Sequence, residues 1–340
     1  MKLGLNLGYW GARPTTDIDM VRAAEDAGYT HVWAAESWGS DAATVLAWIG
    51  AQTKSIRLGA GIFQMPARTP AMTAMTAVTL SELSGGRFDL GLGLSGPQVV
   101  EGWHGRPYGK PIGKTREYVE IVRKIIARQE PLTHEGDHYQ IPFTGAGATG
   151  LGKPLKLITH PHHEIPIYLA SIGPKNVALT AEIADGWLPI FYSPEHPEFQ
   201  ESLDKGFAAS GDPDRRSKFT VAPGVQAVVD EDFSSARNAM RPMLALYIGG
   251  MGAKGRNFYH TLASRYGFEK EADEIQNAFL AGKRMAAAVA VPDGLIDLVC
   301  IAGPRGHVKE RLAAWKESGV DLLNVSTNDL DTVRAIAELA

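Results

Sequence analysis

Short apolar runs alternate with longer amphipathic stretches from the first residues of the chain. Lys2–Leu7 reads as a strand, and Thr16–Ala27 carries Ile18, Val21, Ala24 and Ala27 at helical spacing with Gly28 just past its end as a stop. The unit then repeats. Thr30–Ala35 precedes Ala42–Gln52, Ile56–Phe63 precedes Pro70–Leu83, and Phe88–Leu94 precedes Gly113–Arg128. Pro70 suits a first helical turn, and Tyr118, Ile121, Val122, Ile125 and Ile126 share one face of the fourth helix.

Residues 130–163, rich in Gly, Pro, Thr and His, interrupt the alternation and predict an inserted loop with a small hairpin at His134–Gln140. Strands resume at Ile165–Ala170, Trp187–Phe191 and Phe219–Val229, with helices at Pro174–Ala184 and Pro194–Ala209 between them. Residues 233–303 hold several helical patches and no clear strand, so they read as the seventh helix with a second insertion. Val308–Ser318 is a helix closed by Gly319, and Leu322–Ser326 is the eighth strand. Eight strands separated by helices predict an α/β fold, a closed parallel (β/α)8 TIM barrel, as one domain over residues 1–340. An open doubly wound sheet shares the alternation and is the rival architecture.

Composition narrows the partners. The 340 residues are 44% hydrophobic and 21% charged, which supports a barrel-sized core. With 34 Lys+Arg against 38 Asp+Glu, a net charge of −4 and no long basic run, a nucleic-acid partner is not expected. Neither a signal peptide nor an apolar run of membrane-spanning length is visible, which predicts a cytoplasmic protein without a membrane partner. The single cysteine, Cys300, sits in DLVCIAG and reads as a buried small hydrophobe. His160-Pro161-His162-His163 lies within one loop and matches no standard zinc spacing, so no metal is expected.

Barrel sites form at the C-terminal ends of the strands. Ser171-Ile172-Gly173-Pro174-Lys175-Asn176 ends a strand and opens a helix, which makes either an anion seat at a helix N-terminus or a plain turn with a solvated lysine. Gly61-Ile62 lies within the third strand, where glycine marks a bulge, a close backbone approach or tight packing. Gly91-Leu92-Gly93-Leu94-Ser95-Gly96 lacks both P-loop lysine and GxGxxG spacing, so a dinucleotide fingerprint is unsupported. Glu36, after the apolar Val32–Ala35 run, is either a proton-donating carboxyl or an ion-pair partner locking the barrel mouth. His104, in GWHGRPYG, is either a donor at the mouth or a structural loop histidine. Tyr9, Trp10, Trp38 and Trp103 would line an aromatic cleft or serve lid packing.

Five fragments occur in a telling order: LGAGIF, PARTPA, SGGRFDLGLGLSG, TREYVEIVRKII leading to EGDHYQIP, and IYLASIGPKN followed by ADGWLP. Over nearly the whole chain the sequence resembles the luciferase-like monooxygenase superfamily, specifically its branch that uses the deazaflavin coenzyme F420. The resemblance implies a cofactor phosphodiester at Ser171, Ile172, Gly173, Lys175 and Asn176, and a non-prolyl cis peptide between Gly61 and Ile62 behind the tricyclic ring. It also implies contacts from Ser95, Gly96, Gln98 and Val99 to the polyol chain and ring, with Glu36 and Ser37 bordering the cofactor. Relatives that oxidise sugar phosphates or alcohols carry an acid–histidine pair where this chain has Glu36-Ser37, and a glutamate at Pro97. These departures remove familiar donors, leave Glu36 and His104 as catalytic candidates, and leave the substrate open. The implied activity is hydride transfer between C5 of the deazaflavin and a small organic molecule. A two-component monooxygenase using reduced FMN and a non-catalytic flavin-binding protein are the alternatives, and a homodimer through helices on the barrel side is the implied assembly.

Overall fold

The computed structural model describes residues 1–8 and 17–340, so the start of the first predicted helix at Thr16 and the aromatic candidates Tyr9 and Trp10 lie outside the described residues. The strands are Lys2–Asn6, His31–Ala34, Arg57–Ala60 with its continuation Phe63–Gln64, Phe88–Gly93, Ile167–Leu169, Gly186–Trp187, Thr220–Val221 with its continuation Gly224–Val229, and Leu322–Ser326. Every pairing among them is parallel. The seventh strand is broken only at Ala222-Pro223. Its first half pairs with the sixth strand through Thr220↔Gly186, and its second half pairs with the eighth through Gly224↔Asn324. The eighth pairs with the first through Lys2↔Leu322, which closes the ring as a barrel and removes the open-sheet rival.

One element departs from expectation. Cys300–Gly303, read as part of a helical insertion, is a strand that pairs in parallel with the outer half of the seventh strand through Gln226↔Cys300. Between the two lie five α-helices and the π-helical turn Ser264–Phe268, the longest helix being Phe233–Gly250. The predicted hairpin is present as His134–Glu135 paired with Gln140–Ile141. Two helices had no counterpart in the sequence reading: Pro97–Gly102 after the fourth strand and Leu330–Leu339 at the end of the chain.

Side-chain caps fix where the outer helices begin. Asp17, Asp41 and Thr69 each accept a backbone N–H from three residues on, at 3.0, 2.8 and 3.1 Å, and so satisfy donors the first turn leaves free. Odd and even strand positions then separate two cores. Leu3, Leu5, Val32, Leu58 and Leu90 pack outward under the helices, while Trp33, Tyr168, Ala222 and Leu322 fill the barrel interior.

The interior is stacked in layers. At the N-terminal end Asp89, 1% exposed, takes two hydrogen bonds from Arg57 at 2.9 and 2.6 Å, and His31 Nε2 lies 3.3 Å away. Burial alone would raise the Asp89 carboxyl, but hydrogen bonds from His31 and Arg57 and the Arg57 charge outweigh it and hold the group below the usual range. The His31 ring stacks on Trp33 at 5.9 Å with an interplanar angle of 8°, and Trp33 meets Tyr168 edge-on at 5.3 Å. Gly59 makes room for this aromatic plug, because a Cβ there would fall 2.2 Å from the Trp33 ring. Two cavities lie above the plug.

Candidate active site at the barrel mouth

The second to sixth strands end around an outer cavity of about 280 Å³. Its walls include Glu36, Ser37, Gly61, Ile62, Ser95, Gly96, Gln98, Val99, Ser171, Ile172, Gly173 and Asn176, which are all of the expected cofactor residues except Lys175. Lys175 is exposed and stands outside the wall, since the first helical turn after Gly173 turns Asn176 inward and leaves the lysine on the solvent side. The Gly61–Ile62 peptide is cis, as the resemblance implies, and both residues also border a second, inner chamber. Ser37, Ser95 and Phe191 adopt positive φ of 58°, 60° and 55°. Left-handed backbone at non-glycine residues is costly, and its clustering at strand ends of one mouth is a mark of functional geometry.

Glu36 is 6% exposed and fully engaged. One carboxylate oxygen lies 2.6 Å from Arg68 Nη1, the other accepts the Gln64 backbone N–H at 3.0 Å, and Arg68 reaches on to Asp41 at 2.5 Å. Arg68 in turn lies over the Phe63 ring, 4.4 Å from its centroid. The Gln64 side-chain amide donates to the Ser37 carbonyl, while its buried Oε1 has no partner. This network ties the second strand end to the third. Glu36 is thereby held in an ion-paired and hydrogen-bonded brace between the two strand ends.

The fifth strand end is held from below. Trp187 Nε1 donates to the Ser171 carbonyl at 2.9 Å, and the Ser171 and Thr180 hydroxyls are 2.8 Å apart. Helix Pro174–Ile183 begins with proline and has no side-chain cap, and a Cβ at Gly173 would meet nothing within 4 Å. An uncapped helix start facing open space is a ready seat for an anion.

Other candidates fall elsewhere. His104 is half-buried and does not line the cavity; its N–H donates to the Val99 carbonyl at 3.1 Å and its Nε2 is buried without a partner. Trp38 borders the cavity, whereas Trp103 is 66% exposed and does not. His162 pairs with Glu82 at 2.9 Å on the surface. Cys300 is buried, with its thiol pushed up to about 12 by desolvation.

Sequence reasoning missed the far wall, which Gly250, Met251, Phe258 and Tyr259 supply from the second insertion. Asn257 anchors it. Only 2% exposed, it donates to the Tyr247 and Ile248 carbonyls at 2.9 and 2.8 Å and caps helix Phe258–Ala263 by accepting from the Tyr259 and His260 N–H groups. Tyr259 is then packed at right angles on Tyr247, 4.7 Å between centroids. Asn257→Ala is expected to lower stability by about 2 kcal/mol, since the cap and two buried carbonyl partners are lost together. Proteolysis should show the 251–257 segment cut first in the variant.

The chain is 50% identical over its whole length, and over 99% of the relative, to a Mycobacterium tuberculosis protein whose name describes a coenzyme F420-dependent oxidoreductase. It is 30% identical to 5,10-methylenetetrahydromethanopterin reductase of Archaeoglobus fulgidus over 88% of this chain and 86% of that one. Among solved structures, the coenzyme F420-dependent tetrahydromethanopterin reductase from Methanopyrus kandleri superposes with a TM-score of 0.82 at 22% identity, covering 100% of this chain and 98% of the other. Residues 6–322 match the family described as luciferase-like monooxygenase, and the chain belongs to that family.

Proposed function

We propose that the protein is an F420-dependent oxidoreductase whose outer cavity seats the deazaflavin. The observation that carries this reading is the run of the cavity wall from the Gly61–Ile62 backstop, past Ser95 to Val99, to the open helix start at Gly173. That wall would take a planar ring, a polyol and a phosphodiester in turn. The name of the half-identical relative supports the same cofactor. Bound there, the deazaflavin would accept or supply a hydride.

The chain's own residues perform the rest. Gly61 and Ile62 would support the ring from behind. Ser95, Gly96 and Gln98 would hold the polyol, and Ser171, Gly173 and Asn176 the phosphodiester, with Lys175 adding long-range attraction from outside the wall. Glu36 positions the mouth through Arg68 and Gln64.

Mixing the purified chain with reduced F420 and a panel of ketones and enones should oxidise the cofactor, seen as the return of its visible absorbance. Turnover that instead requires reduced FMN and oxygen would transfer the assignment to a monooxygenase, and tight cofactor binding without any turnover would leave a flavin-binding protein. We extend the proposal to a homodimer. Trp48, Met72 and Met75 are about half exposed on the adjacent helices Ala42–Gly50 and Pro70–Leu83, an apolar side of the barrel suited to a second copy.

A further inference from the structure

Below the outer cavity, and sharing Ala35, Gly61, Ile62 and Tyr259 with it, lies the inner chamber of about 240 Å³. Among the described residues no Asp, Glu, Lys, Arg or His side chain lines this chamber. The Arg57–Asp89 ion pair with its neighbour His31 lies lower in the barrel, on the far side of the Trp33–Tyr168 plug. Its walls are apolar and aromatic, with Phe191 packed edge-on against Tyr247 and Tyr259 at 5.6 and 5.5 Å.

The polar groups it does hold are neutral, and several are uncommitted. Gln226 lines the chamber and its side-chain amide makes no hydrogen bond among the described residues. Ser326 accepts from Asn6 Nδ2 at 3.0 Å, which leaves its own hydroxyl hydrogen to donate. Trp33 and Asn324 also border the chamber, but their Nε1 and Oδ1 atoms are fully buried and lie against Gly4, which leaves Gln226 and Ser326 as the groups a ligand can reach. A polar group left without a partner in a cavity wall favours a ligand that completes it.

We propose that the inner chamber is the substrate site and selects an uncharged, mainly apolar carbonyl compound of one or two rings, its oxygen held by the Gln226 amide and the Ser326 hydroxyl. The proposal rests on the reading of the outer cavity as the cofactor seat. Size supports it, because the chamber is smaller than the roughly 300–1,000 Å³ of sites for drug-sized ligands. Electrostatics supports it as well. Among the described residues of the wall an anionic or cationic substrate would meet no opposite charge to replace its hydration, whereas a ketone exchanges water for waiting neutral donors.

Isothermal titration of the full chain with 2-tetralone and, separately, 2-naphthoate separates the two, since they share a bicyclic frame and differ in charge. The ketone is expected to bind at least about tenfold more tightly. Gln226→Ala should weaken the ketone about fivefold and leave F420 affinity, followed by cofactor fluorescence, unchanged. The ketone should also bind with F420 saturating. Equal or tighter binding of 2-naphthoate, no binding of 2-tetralone, or exclusion of the ketone by F420 overturns the proposal. Ketone binding in a protein that fails to take F420 would instead retain this inference and remove the cofactor reading.

Discussion

Asp89→Ala should lower the stability of the folded chain by about 3 kcal/mol at neutral pH. Removing one partner of a buried ion pair typically costs about 3–5 kcal/mol, and the lower end applies because the Arg57 side chain is 32% exposed and keeps the Gly86 and Phe88 carbonyls at 3.1 and 3.3 Å. The loss appears as an earlier midpoint in chemical denaturation. A second signature comes from pH. The folded-state Asp89 carboxyl lies below its unfolded value, so its contribution is present above the unfolded value, near pH 4, and disappears as pH falls through the folded one. The wild-type chain should therefore lose stability more steeply below about pH 4 than the variant. Parallel acid limbs would mean that Asp89 is not the group that anchors the barrel's lower layer.

Gly91→Ala is expected to damage stability and site together. A Cβ at Gly91 would stand 1.8 Å from the Ala60 carbonyl oxygen and 2.9 Å from Leu188 Cδ1. The first contact is backbone, so a rotamer change cannot relieve it. The third strand must move where it carries Gly61–Ile62, and overpacking of this kind costs roughly 3 kcal/mol. Since that peptide is the proposed backstop of the ring, F420 affinity should fall by about tenfold or more in whatever protein remains folded. Gly102→Ala is the matched control, because a Cβ there meets nothing within 4 Å at the end of a helix. It should leave both measurements unchanged.

The strands were legible because barrel strands are buried on both faces and appear as short, mainly apolar runs, such as Phe88–Gly93, in which every residue is buried and only Asp89 is charged. Cys300–Gly303 was not, because helix Asp293–Val299 runs into it with no turn residue between and DLVCIAG fits either element. Helix Pro97–Gly102 escaped because six residues give too little periodicity. At the site, strand-end glycines and serines could be read from the order of motifs, since the fold places all strand ends at one mouth. The wall from Gly250 to Tyr259 could not. Its position depends on the Asn257 anchor and on aromatic packing across the insertion, and the only local signal is an Asn three residues before His260, a helix-cap spacing. Nor did sequence distinguish Lys175 from Asn176, because which side of a first turn faces the cavity is set by how the helix packs.

The most direct test of the account is a fluorescence titration of the purified chain with oxidised F420 and, in parallel, with FMN, using the wild type and a Gly173→Asp variant. The variant places a carboxylate where the open helix start faces the cavity. The account predicts micromolar binding of F420, at least about tenfold weaker binding of FMN, and loss of F420 affinity in the variant. Preference for FMN, or F420 binding indifferent to the carboxylate at Gly173, would contradict it.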